Sequence, residues 1–156
     1  MTRTARRDID DFLHRKRILV VGVSRNPKDF TRTLFRELRQ RGYDAAPVNP
    51  ALREVEGVPC FARVADATPP VDAVLLLTKP EVTERIALEC ADAQVRTVWM
   101  YRATGSGAVS RNAAAFCRSR GIRVIEGECP FMFLENAAWP HRLHAGCRKL
   151  LGRYPQ

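Results

Sequence analysis

A parallel α/β sheet with helices on both faces is what the sequence predicts, on three observations. Five short apolar runs alternate with amphipathic stretches along 156 residues. The runs at 18–21 and 71–77 are apolar almost throughout, which suits strands covered on both faces. The connections are short, so successive strands lie parallel and cross over right-handed. Together these predict a single doubly wound Rossmann-type domain with a five-stranded parallel sheet.

Residues 8–16 predict an opening helix with Ile9, Phe12 and Leu13 on one face. Acids fill its first turn and His14, Arg15 and Lys16 its last, an order that complements the helix dipole. Residues 1–16 are thus expected as a helical extension, 17–135 as the domain proper and 136–156 as a second helical extension. The first strand runs over 17–23. A helix striped with Phe30, Leu34, Phe35 and Leu38 follows to about residue 41, capped either at Asn26-Pro27 or at Thr31. Gly42 stops it, and the second strand, 43–48, ends in Asn49-Pro50.

Residues 51–67 predict a turn at Gly57, a short extended piece through Val58 and Phe61, and one helical turn. The third strand covers 71–77. Thr78-Lys79-Pro80 turns into a helix carrying Val82, Ile86, Cys90 and Ala93 at helical spacing. The fourth strand is 95–100. Gly105-Ser106-Gly107 loosens the chain before a helix with Val109, Ala113, Phe116 and Cys117 on one side. Gly121 ends that helix, and 122–125 is the fifth strand. The tail reads as one more helix with Leu143, Cys147, Leu150 and Leu151 as its apolar face, compatible with a homodimer.

The formal net charge of +9 favours anionic partners. The arginines are spread along the chain with no helix-turn-helix, zinc-finger or aromatic RNA-binding signature, which disfavours nucleic acid. No apolar run approaches the roughly 18–20 residues of a membrane span, and no signal-peptide core follows the basic start. A cytoplasmic protein without membrane contact is expected. The five cysteines form no Cys-x-x-Cys pair, so reduced thiols and no metal site are expected, with Cys90 and Cys117 as core filler. His141 and His144 lie three apart on the tail, with no acid or paired cysteine beside them to complete a ligand set.

Function should reside in the loop after the first strand, because open α/β sheets bind ligands at their carboxyl edge. Backbone amides and a helix N-terminus there suit a phosphate. A plain dinucleotide site needs G-x-G-x-x-G and an acid closing the second strand. This chain has Gly22-Val23-Ser24-Arg25-Asn26-Pro27 and Val48-Asn49-Pro50 instead, which disfavours NAD. NADP stays open, since Arg53 could meet a 2′-phosphate.

Gly22-Val23-Ser24, Gly42-Tyr43, Val48-Asn49-Pro50, Val71-Asp72-Ala73-Val74, Lys79-Pro80-Glu81, Trp99 and Glu128-Cys129-Pro130 follow one another in an order that resembles a known family. It is the family of small stand-alone CoA-binding proteins, single Rossmann domains similar to the CoA-binding domain of the succinyl-CoA synthetase α subunit. The likeness covers residues 17–133. It implies CoA or acyl-CoA lying across the carboxyl edge, with Gly22 and Ser24 against the phosphates and Arg25, Asn26, Thr31 and Arg32 around them. Asn49 and Pro50 would border the adenosine end, Thr78, Lys79 and Pro80 the third edge loop, and Trp99 and Cys129 complete the set.

The family shows a glutamine and then a glycine soon after the tryptophan, where this chain reads Met100-Tyr101-Arg102-Ala103-Thr104-Gly105. The synthetase's active-site histidine segment is absent, so ligase activity is not carried over. The expected function is to hold CoA or acyl-CoA in a carrier, sensing or regulatory role without catalytic residues. Two alternatives stay beside it: an NADP-dependent oxidoreductase on the same fold, and a thiol or acyl-transfer enzyme using Cys129. Each residue also has a plainer use. Gly22 can serve a tight turn, Ser24 or Thr31 a cap, Lys79 a solvated charge, Trp99 the core, and Cys129 a structural thiol.

Overall fold

Residues 5–102 and 105–134 are described by the structure, a computed structural model. The chain opens with α1 (Arg6–Leu13), then β1 (Arg17–Val21), α2 (Phe30–Gln40) and β2 (Asp44–Val48). A short hairpin, β3 (Glu54–Val55) and β4 (Val58–Pro59), precedes a 3-10 turn at Val64–Asp66. Next come β5 (Ala73–Leu76), α3 (Pro80–Asp92), β6 (Thr97–Met100), α4 (Arg111–Ser119) and β7 (Arg123–Glu126). A 3-10 turn at Pro130–Met132 closes the described chain. The helix expected over 136–156 lies outside the described residues.

The five long strands pair in parallel in the order β2-β1-β5-β6-β7. Alternation along each strand feeds two separate cores. Ile18, Val20, Leu75, Trp99 and Ile125 face Ile9 and Phe12 of α1 and Leu34, Phe35 and Leu38 of α2. Leu19, Val21, Val74, Leu76, Val98 and Met100 face Ile86, Ala87 and Cys90 of α3 and Ala113, Ala114 and Cys117 of α4. Each buried large aliphatic side chain contributes about 1.5–3 kcal/mol relative to exposure. The sheet is therefore a Rossmann-like α/β sandwich with helices on both faces.

The N-terminal helix joins the first of these cores. Phe12 packs edge-on against Trp99 at 5.2 Å between centroids, the Tyr43 hydroxyl donates to the Leu13 carbonyl at 2.8 Å, and Arg123 pairs with Asp11 at 2.7 Å. Arg15 also pairs with Asp72 beneath the sheet.

Two local details differ from expectation. The cap of α2 is Asp29, whose carboxylate accepts from the Thr31 amide at 2.8 Å and the Thr31 hydroxyl at 2.6 Å. Asn26 instead forms a turn, its side-chain oxygen accepting from the Lys28 amide at 3.0 Å and its carbonyl from the Asp29 amide at 3.0 Å. That turn delays the helix by three residues, and Thr31 becomes a capped residue. Secondly, residues 51–67 hold the antiparallel β3–β4 pair around Glu56-Gly57, both in the left-handed region, in addition to the helical turn.

The winding direction reverses between β1 and β5: α2 crosses on one face, α3 and α4 on the other. Loops leaving the carboxyl ends of these neighbours diverge, so a crevice opens between them.

Candidate functional site

Gly22 sits at the mouth of that crevice. Its amide donates to the Val48 carbonyl at 3.1 Å, and its φ of +94° is a conformation L side chains rarely adopt. A Cβ on it would lie 2.9 Å from Thr78 Cγ2 and 3.1 Å from the Leu77 backbone. Only glycine lets the loops after β1 and β5 approach this closely. Asn49 ties the third loop to them, its side chain donating to the Val23 carbonyl at 3.0 Å and accepting from the Ala51 amide at 2.9 Å. Thr78 is held by a 2.8 Å hydroxyl contact with Thr83 in the first turn of α3.

Two adjoining cavities open here, sharing Gly22, Asn49, Thr78 and Val82. The smaller, about 410 Å³, has apolar walls from Val21, Val48, Val82 and Ile86, is bordered by Pro50, and carries Arg63, Arg85 and Glu89. The larger and more open one, about 1090 Å³, is reached by Arg25, Lys79 and Pro80 and flanked by Gly105, Ser106 and Gly107. Apolar walls with a few convergent polar groups are the usual make-up of a small-molecule site. A third cavity of about 520 Å³, between α1 and Phe133-Leu134, lies away from this edge.

Of the residues singled out in sequence, Gly22, Arg25, Asn49, Pro50, Thr78, Lys79 and Pro80 come together around this cleft. Ser24, Asn26, Thr31 and Arg32 are joined to one another instead. The Ser24 amide donates to Thr31 Oγ1 at 2.9 Å, the Asn26 amide to Ser24 Oγ at 3.1 Å, and Arg32 Nη1 to the Ser24 carbonyl at 3.2 Å. Arg32 Nε also donates to Glu56 Oε1 at 2.7 Å, clamping the β3–β4 turn onto α2. That guanidinium, chiefly, holds the Glu56 carboxyl below its ordinary range.

The first turn of α2 has little left to offer an anion. The Thr31 amide is taken by the Asp29 carboxylate, and the Arg32 and Thr33 amides bond the Asp29 carbonyl at 3.1 and 3.3 Å. The Thr31 hydroxyl, and after it the Thr31 amide, hold the Asp29 carboxyl below its ordinary value. A negative charge therefore already occupies the helix N-terminus where a phosphate was expected. Positive charge toward the cleft comes from the exposed side chains of Arg25 and Lys79.

Trp99 is fully buried, its indole donating to the Glu128 carbonyl at 2.9 Å, and it does not reach the cleft. Cys129 is half-buried against the core that faces α1 and α2, whereas the smaller cavity is walled by strand residues of the opposite face. Beside it, burial, and secondarily the Cys129 thiol, push the Tyr101 hydroxyl well above its ordinary range. Burial also raises Cys90, and Cys117 to about 11, as expected of filler thiols.

Arg63, Arg85, Glu89 and the Gly105–Gly107 loop escape the sequence reading. The helical stripe through Val82 and Ile86 marks the cavity wall, but it reads as core, and Arg85 and Glu89 flank it as solvent-side charges. Gly107 has a positive φ and its missing Cβ would fall 2.5 Å from the Tyr101 carbonyl, so this loop folds back onto β6. Its glycines read in sequence only as a spacer. Among the described residues no helix is long and apolar enough to cross a membrane, and no cluster of three metal-ligating side chains occurs.

A doubly wound parallel sheet with an elongated cleft over its switch point defines an α/β ligand-binding domain of Rossmann-like type. Residues 16–135 match the family model described as a CoA binding domain, and the chain belongs to that family. It is 27% identical over 130 residues to the uncharacterized protein YneT of Bacillus subtilis, a match covering 83% of this chain and 93% of that one. It is 25% identical over 129 residues to the α subunit of the ADP-forming acetate–CoA ligase II of Pyrococcus furiosus. That match covers 78% of this chain but only 28% of the ligase subunit. Among solved structures, a hypothetical protein from Pyrococcus horikoshii superposes with a TM-score of 0.71 at 26% identity, covering 83% of this chain and 94% of that one.

Proposed function

We propose that this chain holds CoA, free or acylated, in the cleft above β1 and β5 as a cytoplasmic carrier, sensor or regulator, and performs no chemistry on it. The observation that carries this reading is the continuity, across Gly22, of an apolar slot with a wider chamber bordered by Arg25, Lys79 and Glu81. An adenosine suits the slot beside Asn49 and Pro50, where Val21, Val48 and Ile86 can cover the faces of a purine. A diphosphate over Gly22 would meet Arg25 and Lys79, and a pantetheine arm could run on toward Gly105–Gly107. Family membership adds to this reading. The location of Cys129 against the other core of the sheet favours holding over acyl transfer.

Calorimetric titration at moderate salt with CoA, acetyl-CoA, NAD and NADP tests it. CoA and acetyl-CoA should bind at low micromolar strength, about −8 kcal/mol, with no NAD signal. Acetyl-CoA left with the protein should release no free thiol beyond the buffer blank. Binding of NADP without CoA would overturn the reading.

A further inference from the structure

We infer that Arg85 and Arg63 recognise a phosphomonoester on the ribose of the bound nucleotide, so that the cleft selects the adenosine 3′,5′-bisphosphate end of CoA over its 3′-dephosphorylated form. The inference rests on the CoA reading above and adds to it a determinant of specificity.

Cations border the cleft in two separate pairs. Arg25 and Lys79 stand at the larger cavity and Arg63 and Arg85 at the smaller, joined through Gly22, Thr78 and Val82. A ligand with one diphosphate would be served by the first pair alone. Two separated pairs flanking an apolar slot match a nucleoside phosphorylated at two positions.

The α3 wall gives the second pair its direction. Val82 and Ile86 line the slot one turn apart, with Arg85 between them in sequence and Glu89 one turn further from the carboxyl edge. Arg85 is exposed, and no acidic side chain lies within ion-pair distance of it among the described residues. Arg63 enters from the chain that follows the Val48–Phe61 bridge, its largely exposed side chain ion-paired among the described residues with Asp66 at 3.1 Å. The Glu89 carboxylate is fastened to the Val64 amide at 3.1 Å. Its negative charge also acts on the Arg63 guanidinium, so of the two arginines Arg85 is the one whose charge no acidic partner among the described residues offsets, and Arg63 adds to it. Guanidinium groups suit a phosphomonoester because they present several fixed donors to phosphate oxygens.

The test compares CoA with 3′-dephospho-CoA, and adenosine 3′,5′-bisphosphate with adenosine 5′-monophosphate, by calorimetry on the full chain. Wild type should bind CoA at least about tenfold more tightly than dephospho-CoA, and the bisphosphate more tightly than the monophosphate, as expected of a charge-assisted phosphate contact. Arg85→Gln, which breaks no ion pair, should remove most of that preference at unchanged thermal stability. Adding Arg63→Gln should leave less than about a threefold difference. CoA binding more tightly than the bisphosphate would assign the natural ligand to CoA and not to a free bisphosphate, and the reverse order would overturn that part. Equal binding of CoA and dephospho-CoA by wild type overturns the inference and leaves the CoA reading standing. A preference that survives in the double variant overturns the assignment to these arginines. No binding of CoA at all overturns the CoA reading and this inference together.

Discussion

The loops after β1 and after β5 face each other across the cleft, and they use their polar groups in opposite ways. In the first, Ser24, Asn26, Asp29, Thr31 and Arg32 bond one another, so the loop is a closed network with its own carboxylate at the helix start. In the second, Thr78 is held by Thr83 while Lys79 caps α3 with no side-chain bond and extends beside the larger cavity. The first loop spends these polar groups on its own shape and turns only Arg25 toward the larger cavity, whereas the second turns Lys79 there. A loop can therefore be central to a binding site while most of its polar groups serve its own fold.

The strongest way to break this division is at Gly22, where both loops meet. Gly22→Ala combines a left-handed backbone with a contact of 3.1 Å to the Leu77 backbone, and should cost about 2–3 kcal/mol in urea unfolding and abolish CoA binding. A wild-type midpoint would show that the two loops do not depend on this approach.

Lys79→Gln sharpens the comparison from the other side. It should weaken CoA by roughly tenfold in calorimetry while the unfolding midpoint stays within about 0.5 kcal/mol of wild type. Thr31→Val should do the reverse. It leaves the Ser24 amide without its acceptor and should cost about 1–2 kcal/mol of stability, with any affinity change following from loop order alone. If Thr31→Val cost affinity and no stability, the closed-network description of the first loop would fail.

The smallest expected effect is a pH dependence. The folded Asp29 carboxyl titrates below its ordinary value of 3.8, so its contribution is complete above that value and disappears as pH falls through the lower folded value. Wild type should therefore lose stability more steeply than Asp29→Asn below about pH 4, by a few tenths of a kcal/mol for a half-buried group still screened by solvent. Parallel acid limbs in the two unfolding curves would remove Asp29 as the helix cap.

Much of the fold is legible in the residues themselves. The apolar runs of β1 and β5 announce a sheet covered on both faces, and the stripes of α2, α3 and α4 announce which helix faces are buried. The start of α2 is less legible, because Asn26 and Asp29 both carry side chains suited to capping. What separates them is the Asn26 turn, which leaves Asp29 next to the first helical amides. The site is legible where backbone demands are severe, as at Gly22 and Asn49-Pro50. It is illegible at Arg63 and Arg85, which look like ordinary surface charges on a turn and a helix.

The sequence by itself determines the α/β class, the five strands, the carboxyl-edge position of the ligand loops and the likeness to CoA-binding domains. The first three follow from local patterns of burial and turn chemistry, which each segment carries without its neighbours, and the likeness rests on the order of short motifs from Gly22 to Pro130. The tertiary structure decides which side chains share a space. It brings Thr78 under Gly22, puts Arg63 and Arg85 at one cavity, buries Trp99 away from the cleft, and packs Cys129 against the other core. Those outcomes depend on strand order and on which face each helix covers, and no local pattern encodes contact between segments that only the folded sheet makes neighbours.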